Sequence, residues 1–181
     1  MKHPLNRRSF LKLGLLAAAL PLPAFASRGL LVPERRLSFN NLHTGEKLDL
    51  PYWIEGDYVA ESLAEINRVL RDHRTDQVAA IDTDLLDLLH RVQSTLGTSQ
   101  PFQVISGYRS PASNQMLAGH SSGVAKGSLH LQGKAIDIRL PGVALADLRQ
   151  TGLMLKGGGV GYYPKSDFVH LDVGRVRTWG A

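Results

Sequence analysis

Two segments decide how this chain is read: Gly127-Ser128-Leu129-His130-Leu131-Gln132-Gly133-Lys134-Ala135-Ile136-Asp137-Ile138 and Ser166-Asp167-Phe168-Val169-His170-Leu171-Asp172. From Lys134 to Leu140 the residues alternate, with Ala135, Asp137 and Arg139 on one face and Ile136, Ile138 and Leu140 on the other. That is the period of a strand packed on a core through its apolar face. Phe168 to Val173 reads as the last strand, with His170 and Asp172 sharing a face. An aspartate between isoleucines is costly to bury unless it is paired or holds a metal. Gly133 lets the chain turn so that His130 approaches the same point. The two segments supply two imidazoles and three carboxylates, in a chain with no cysteine. Two histidines and one carboxylate can hold a zinc ion and leave a fourth position for water, as catalytic zinc sites do. Spacing alone leaves open how Asp137, Asp167 and Asp172 divide the work.

Working upstream, Phe102-Gln103-Val104-Ile105 reads as a buried strand that runs into Ser106-Gly107-Tyr108-Arg109-Ser110-Pro111. A short helix follows from Pro111 to about Leu117, so Tyr108 and Arg109 stand at the carboxyl end of a strand, where sites commonly sit. Residues 119–127 are small and polar and read as a rim loop, with His120 a candidate substrate contact. Their glycines and Lys126 match no phosphate-binding spacing. Downstream, Val143 to Leu153 reads as a helix with Leu145, Leu148 and Met154 on its apolar stripe. Gly157 to Tyr163 reads as a glycine-rich turn into a strand.

The first half of the chain reads as scaffold. Residues 35–50 alternate around Thr44-Gly45 as a β-hairpin, and a helix is expected from Tyr58 to about His73. A second helix is expected after Asp82-Thr83-Asp84, carrying Leu85, Leu86, Leu88, Leu89, Val92 and Leu96 and stopping at Gly97. Asp82, Asp84 and Asp87 lie near that helix start, where the helix dipole favours acids without any function. His43, His73 and His90 are read as surface or capping residues.

The N-terminus has the pattern of an export leader. Asn6-Arg7-Arg8-Ser9-Phe10-Leu11-Lys12 precedes an apolar run from Leu13 to Leu22, and Ala24-Phe25-Ala26 supplies a small-x-small cleavage site. The run is shorter than the roughly 20 residues that a membrane-spanning helix needs. The paired arginines with the residues after them resemble the twin-arginine export signal. The sequence therefore divides into a leader, 1–26, and one domain, 27–181, of a size that buries a sizeable core. Lys2, Arg7, Arg8 and Lys12 all fall in the leader. The remainder keeps 17 of the 21 basic residues against 16 acids, a net charge of +1. That near-neutral balance argues against a nucleic-acid partner, and the absence of cysteine excludes a disulfide framework, a thiolate metal site and a lipid-anchored cysteine.

Each of these signals is modest alone, and together they match a known family. Ser128-x-His130-x-x-Gly133-x-Ala135-x-Asp137 followed by Asp167-x-x-His170 resembles the zinc D-Ala-D-Ala peptidase superfamily (peptidase family M15), which shares its zinc-site arrangement with the Hedgehog signalling domain. Ser106-Gly107-Tyr108-Arg109-Ser110-Pro111, Gly123-Val124-Ala125-Lys126 and Gly158-Gly159-Val160-Gly161-x-Tyr163 bring the resemblance closer to the YcbK/MepK-like murein endopeptidases. It implies an α+β fold with a small, central, mostly antiparallel sheet and flanking helices. It also implies zinc held by His130, Asp137 and His170, Asp167 as general base, and Arg109 as the stabiliser of the developing oxyanion. Ser128 and Tyr108 become candidate substrate contacts, and Asp172 a partner behind the ligands. The function implied is hydrolysis of peptide cross-links in peptidoglycan, with the bond between two diaminopimelate residues as the expected target. The same scaffold serves D-Ala-D-Ala carboxypeptidases, L-Ala-D-Glu peptidases and non-catalytic zinc-holding modules. The expected setting is the periplasm, reached through the twin-arginine machinery, as a monomer acting on peptide stems.

Overall fold

A computed structural model describes residues 33–120 and 127–180. The leader, the segment Gly123-Val124-Ala125-Lys126 and the side chain of His120 lie outside the described residues. The hairpin forms as expected, β1 (Glu34–Asn41) against β2 (Lys47–Ile54), with β3 (Asp57–Tyr58) added to its outer edge. The pairing slips between Arg35 and Arg36, so that Arg35 faces Trp53 and Arg36 faces Pro51. Tyr52 is the extra residue of this bulge, and it is fully buried. The slip is how a proline is tolerated inside the strand.

Helices α1 (Ala60–Val69) and α2 (Thr83–Leu96) follow. The bounds of α2 come from local chemistry: the Asp82 carboxylate accepts the Asp84 amide at 2.9 Å, and Gly97 ends the helix in the left-handed region. Helix α1 ends earlier than the apolar spacing predicts, at Val69 rather than near His73. Beyond it the buried Asp72 organises a turn, accepting the amides of Arg74 at 2.9 Å and of Ser110 at 2.8 Å.

The second half alternates strands and helices: β4 (Phe102–Ser106), α3 (Pro111–His120), a 3₁₀ turn (Leu129–Gln132), β5 (Ala135–Arg139) and α4 (Leu145–Leu155). β6 (Gly159–Tyr163), β7 (Phe168–Asp172) and β8 (Arg177–Trp179) complete it. Helix α3 takes in Gly119 and His120, which the sequence assigns to the rim loop. Met154 does not extend the apolar stripe of α4 and is 56% exposed. The stripe instead reaches the sheet through Leu148, Thr151 and Gly152, where a Cβ would press within 2.8 Å of Leu171. Nor is β7 the last strand, because β8 returns to pair with β6.

The result is an α+β fold on one eight-stranded sheet, larger than the small sheet expected, in the order β3-β2-β1-β4-β5-β7-β6-β8. Every pairing is antiparallel except β1 with β4 and β6 with β8. Ile136, Ile138, Val160, Val169 and Leu171 join Leu85, Leu86, Leu89 and Leu148 in a continuous core on one side of the sheet. No helix among the described residues is long and apolar enough to cross a membrane.

Candidate metal centre

One row of residues crosses five strands. Ser106 pairs with Asp137, Asp137 with His170, His170 with Gly161, and Gly161 with Trp179. Side chains of directly paired residues project from the same face, so the row lies opposite the core of isoleucines, valines and leucines. This register brings Asp137 and His170 together: His170 Nδ1 is 2.8 Å from Asp137 Oδ1. Gly161 leaves space in the row, and a Cβ there would meet the Trp179 indole at 2.7 Å. The indole instead lies beside His170, ring centroids 5.1 Å apart, and its Nε1 donates to Tyr163 Oη at 2.7 Å.

His130 enters from the 3₁₀ turn. Gly133 closes that turn with a φ of +65°, and a Cβ there would strike the Ala80 carbonyl, so the position requires glycine. His130 Nε2 then lies 3.2 Å from His170 Nδ1 and 3.3 Å from Asp137 Oδ2. All three side chains are buried, and one ligand atom from each lies within 4.8 Å of the others.

The remaining ring nitrogens both face acceptors. His130 Nδ1 is 2.7 Å from the Gly107 carbonyl, and His170 Nε2 is 3.1 Å from Asp172 Oδ2. Each partner only accepts, so each of these nitrogens can donate its hydrogen there, and with a cation bound the lone pairs of His130 Nε2 and His170 Nδ1 would converge with the Asp137 carboxylate. Two imidazole lone pairs and a carboxylate on a three-ligand centre fit a divalent cation.

Where no cation is bound, the electrostatics favour a proton on His170 in its place. Burial opposes the charge on Asp137, but His130 and His170 hold it well below the usual carboxylate range. Burial also opposes charging His170, yet its bonds to Asp137 and Asp172 raise it to about 9. Arg109 is lowered by burial, with Asp137 acting in the other direction.

The other residues singled out from the sequence divide into two groups. Arg109 is brought to the centre: its Nη2 is 3.6 Å from Asp137 Oδ2, and its Nε is buried without a hydrogen-bond partner among the described residues. Tyr108 packs against the core from a partly buried position. Its backbone N–H donates to the Leu70 carbonyl at 2.8 Å, holding the Gly107–Ser110 turn in place. Ser128 stands just before the 3₁₀ turn and makes no side-chain cap bond. Asp167 is not drawn into the cluster. Its side chain is 62% exposed and ion-paired with Arg139 at 2.6 Å. Asp172 is fully buried behind His170.

Sequence reasoning missed the Gly107 carbonyl, Arg177 and Trp179. A backbone carbonyl leaves no side-chain signature, and β8 is three residues long. The only available hint was the alternation of Arg177 and Trp179.

The chain belongs to the peptidase family described as peptidoglycan L,D-endopeptidase MepK, whose model matches residues 31–179. It is 47% identical to the peptidoglycan L,D-endopeptidase MepK of Escherichia coli (strain K12) over 182 residues, covering 98% of this chain and 99% of that one. It is 40% identical to the probable peptidoglycan L,D-endopeptidase MepK of Haemophilus influenzae over 177 residues, covering 96% and 95%.

Proposed function

We propose that this protein is a zinc-dependent murein endopeptidase that hydrolyses peptide cross-links of peptidoglycan, with the bond between two diaminopimelate residues as its target. The observation that carries the reading is the convergence of His130 Nε2, His170 Nδ1 and the Asp137 carboxylate beside a partly buried Arg109 whose Nε has no hydrogen-bond partner among the described residues. The relatives named above are L,D-endopeptidases of peptidoglycan, which favours this bond class and a cell-envelope location. Residues 1–26 carry the leader that would take the chain there, by the twin-arginine route.

When bound, zinc supplies Lewis acidity that polarises a carbonyl and acidifies water. The residues of the chain do the rest. His130 and His170 present fixed lone pairs, and Asp137 adds the negative charge that favours a cation. Arg109 points donors at the place where charge develops on the scissile carbonyl oxygen, an interaction worth roughly 3–4 kcal/mol per donor. Asp167 accepts the proton of the attacking water and passes it to the leaving amine. It does so once its ion pair with Arg139 opens. Ser128 and Tyr108 line the approach of the peptide stem. Asp172 is unsuited to proton transfer because its oxygens already receive the Gly159 and Gly174 amides, Arg177 and His170.

The test is to incubate purified protein with cross-linked muropeptides, with and without a chelator, and to identify the products by mass. The expected result is chelator-sensitive cleavage of the cross-link with one zinc per chain. Protein that binds zinc and cuts no cross-link would refute the endopeptidase reading in favour of a zinc-holding wall-binding module. Release of a terminal D-alanine alone would replace it with a carboxypeptidase. Asp167→Ala should retain zinc and lose cleavage, and near-normal turnover in that variant removes Asp167 from the mechanism.

A further inference from the structure

Asp172 has no place in the reaction above, yet it is one of the most completely engaged groups in the molecule. Its Oδ1 accepts the backbone amides of Gly159 and Gly174, each at 2.9 Å, and Arg177 Nη1 at 3.0 Å. Its Oδ2 accepts Arg177 Nη2 at 2.7 Å and faces His170 Nε2 at 3.1 Å. The fold makes room for this arrangement. A Cβ on Gly159 would collide with both the Arg177 guanidinium and the Asp172 carboxylate. Arg177 is itself held from behind, 4.7 Å over the Trp179 ring that flanks His170.

We propose, on the reading that His130, Asp137 and His170 hold a metal ion, that Arg177 and Asp172 are positioning residues: Arg177 fixes the Asp172 carboxylate so that it accepts Nε2–H of His170 and turns the Nδ1 lone pair to the metal. A neutral imidazole has one N–H, so a fixed acceptor at Nε2 competes with Asp137 at Nδ1 for that hydrogen and frees Nδ1 to ligate. Two amides and both ends of a guanidinium surround Asp172, so only an ionised carboxylate satisfies them all. Its remaining acceptor capacity is directed at His170. This is the carboxylate–histidine support that sets ligand orientation and basicity in metal sites, anchored here from a separate strand, β8.

The isosteric variant Asp172→Asn separates tautomer control from simple packing. The two glycine amides need an acceptor, so the new amide oxygen takes the Oδ1 position. Its NH2 then points at His170 Nε2 and drives the hydrogen onto Nδ1, the nitrogen that should ligate. The experiment uses the full chain, Asp172→Asn and Arg177→Met, with three readouts. These are zinc affinity by competition with a chromophoric chelator, histidine tautomers by long-range ¹H–¹⁵N NMR on zinc-stripped protein at pH 10, and thermal unfolding.

The wild type is expected to show His170 protonated at Nε2. Asp172→Asn should move that hydrogen to Nδ1 and weaken zinc binding by roughly 10–100-fold. Arg177→Met, which keeps an apolar stem on Trp179, should keep the wild-type tautomer and weaken zinc binding on the order of tenfold. A folded Asp172→Asn protein with the Nε2–H tautomer and wild-type zinc affinity overturns the proposal. Should Asp172→Asn fail to fold, an unchanged zinc affinity in Arg177→Met overturns it equally. Wild-type protein that takes up no zinc refutes the metal reading instead, and the relay is then decided by the tautomer alone.

Discussion

Among the described residues two pairs of histidines touch, and they are built in opposite ways. His43 and His73 stack face to face, centroids 3.8 Å apart and planes 8° from parallel. His130 and His170 meet edge to face at 67°, with Nε2 and Nδ1 3.2 Å apart. Burial and then His43 push His73 down to about 4, whereas His170 is raised to about 9 against its own burial. Imidazoles are common to both pairs, so they do not make the difference. Carboxylates do: Asp137 lies between the rings of the second pair and Asp172 stands behind it. A third acid, Asp87, shows that a partly withdrawn carboxylate is not enough either. It is met by Arg35 at 2.8 Å, Tyr52 at 2.7 Å and Tyr58 at 3.0 Å, all of them donors, and it works as a pin between β1, β2, β3 and α2. What marks the centre at His130 is a carboxylate set between two imidazole nitrogens.

The comparison breaks first at Asp137. Asp137→Ala should abolish both zinc uptake and cross-link cleavage while the protein still unfolds cooperatively, as metal analysis and circular dichroism would show. Retained zinc in this variant would mean that the imidazoles suffice. Arg109→Met comes next: turnover should fall on the order of 10²–10³-fold with zinc content unchanged, measured on muropeptides under saturating metal. Asp87→Ala probes the pin, and should lower unfolding stability by about 2 kcal/mol in denaturant titration without altering zinc affinity. The smallest effect belongs to His73. Its folded-state value lies below that of the unfolded chain, so the unfolded chain takes up the proton first. Its contribution to stability is complete above about pH 6.5 and is lost on acidification towards about 4. Unfolding measured across that window should steepen in the wild type relative to His73→Phe, which keeps the stack and removes the titration.

These contrasts also explain what could be read from the residues alone. The bounds of α2 were legible because Asp82 and Gly97 act on their immediate neighbours. The end of α1 was not, because the turn after it is organised by Asp72 reaching Ser110, 38 residues away. Strand alternation put Asp137 and His170 each on a polar face, and Gly133 turned His130 towards Asp137, but the pairing of β5 with β7 that joins them is not a local property and was not legible. The tautomers do not follow, since they depend on a backbone carbonyl at Gly107 and on a carboxylate whose orientation comes from β8. The solvent-facing pairing of Asp167 with Arg139 was equally hidden, because it joins residues 28 apart in the chain.

The three residues that would hold the metal are not themselves held with equal firmness. Asp137 and His170 are cross-strand partners in the middle of the sheet, whereas His130 sits in a 3₁₀ turn of four residues. That turn is tied down by a few backbone bonds, among them Lys134 N–H to the Leu129 carbonyl at 3.0 Å and Arg109 N–H to the His130 carbonyl at 3.1 Å. A short turn opens far more often than a central strand. The dissociation rate of an ion held there would therefore be set by local opening of residues 129–133 and not by unfolding of the sheet. Metal exchange and amide exchange in that turn should share one time constant.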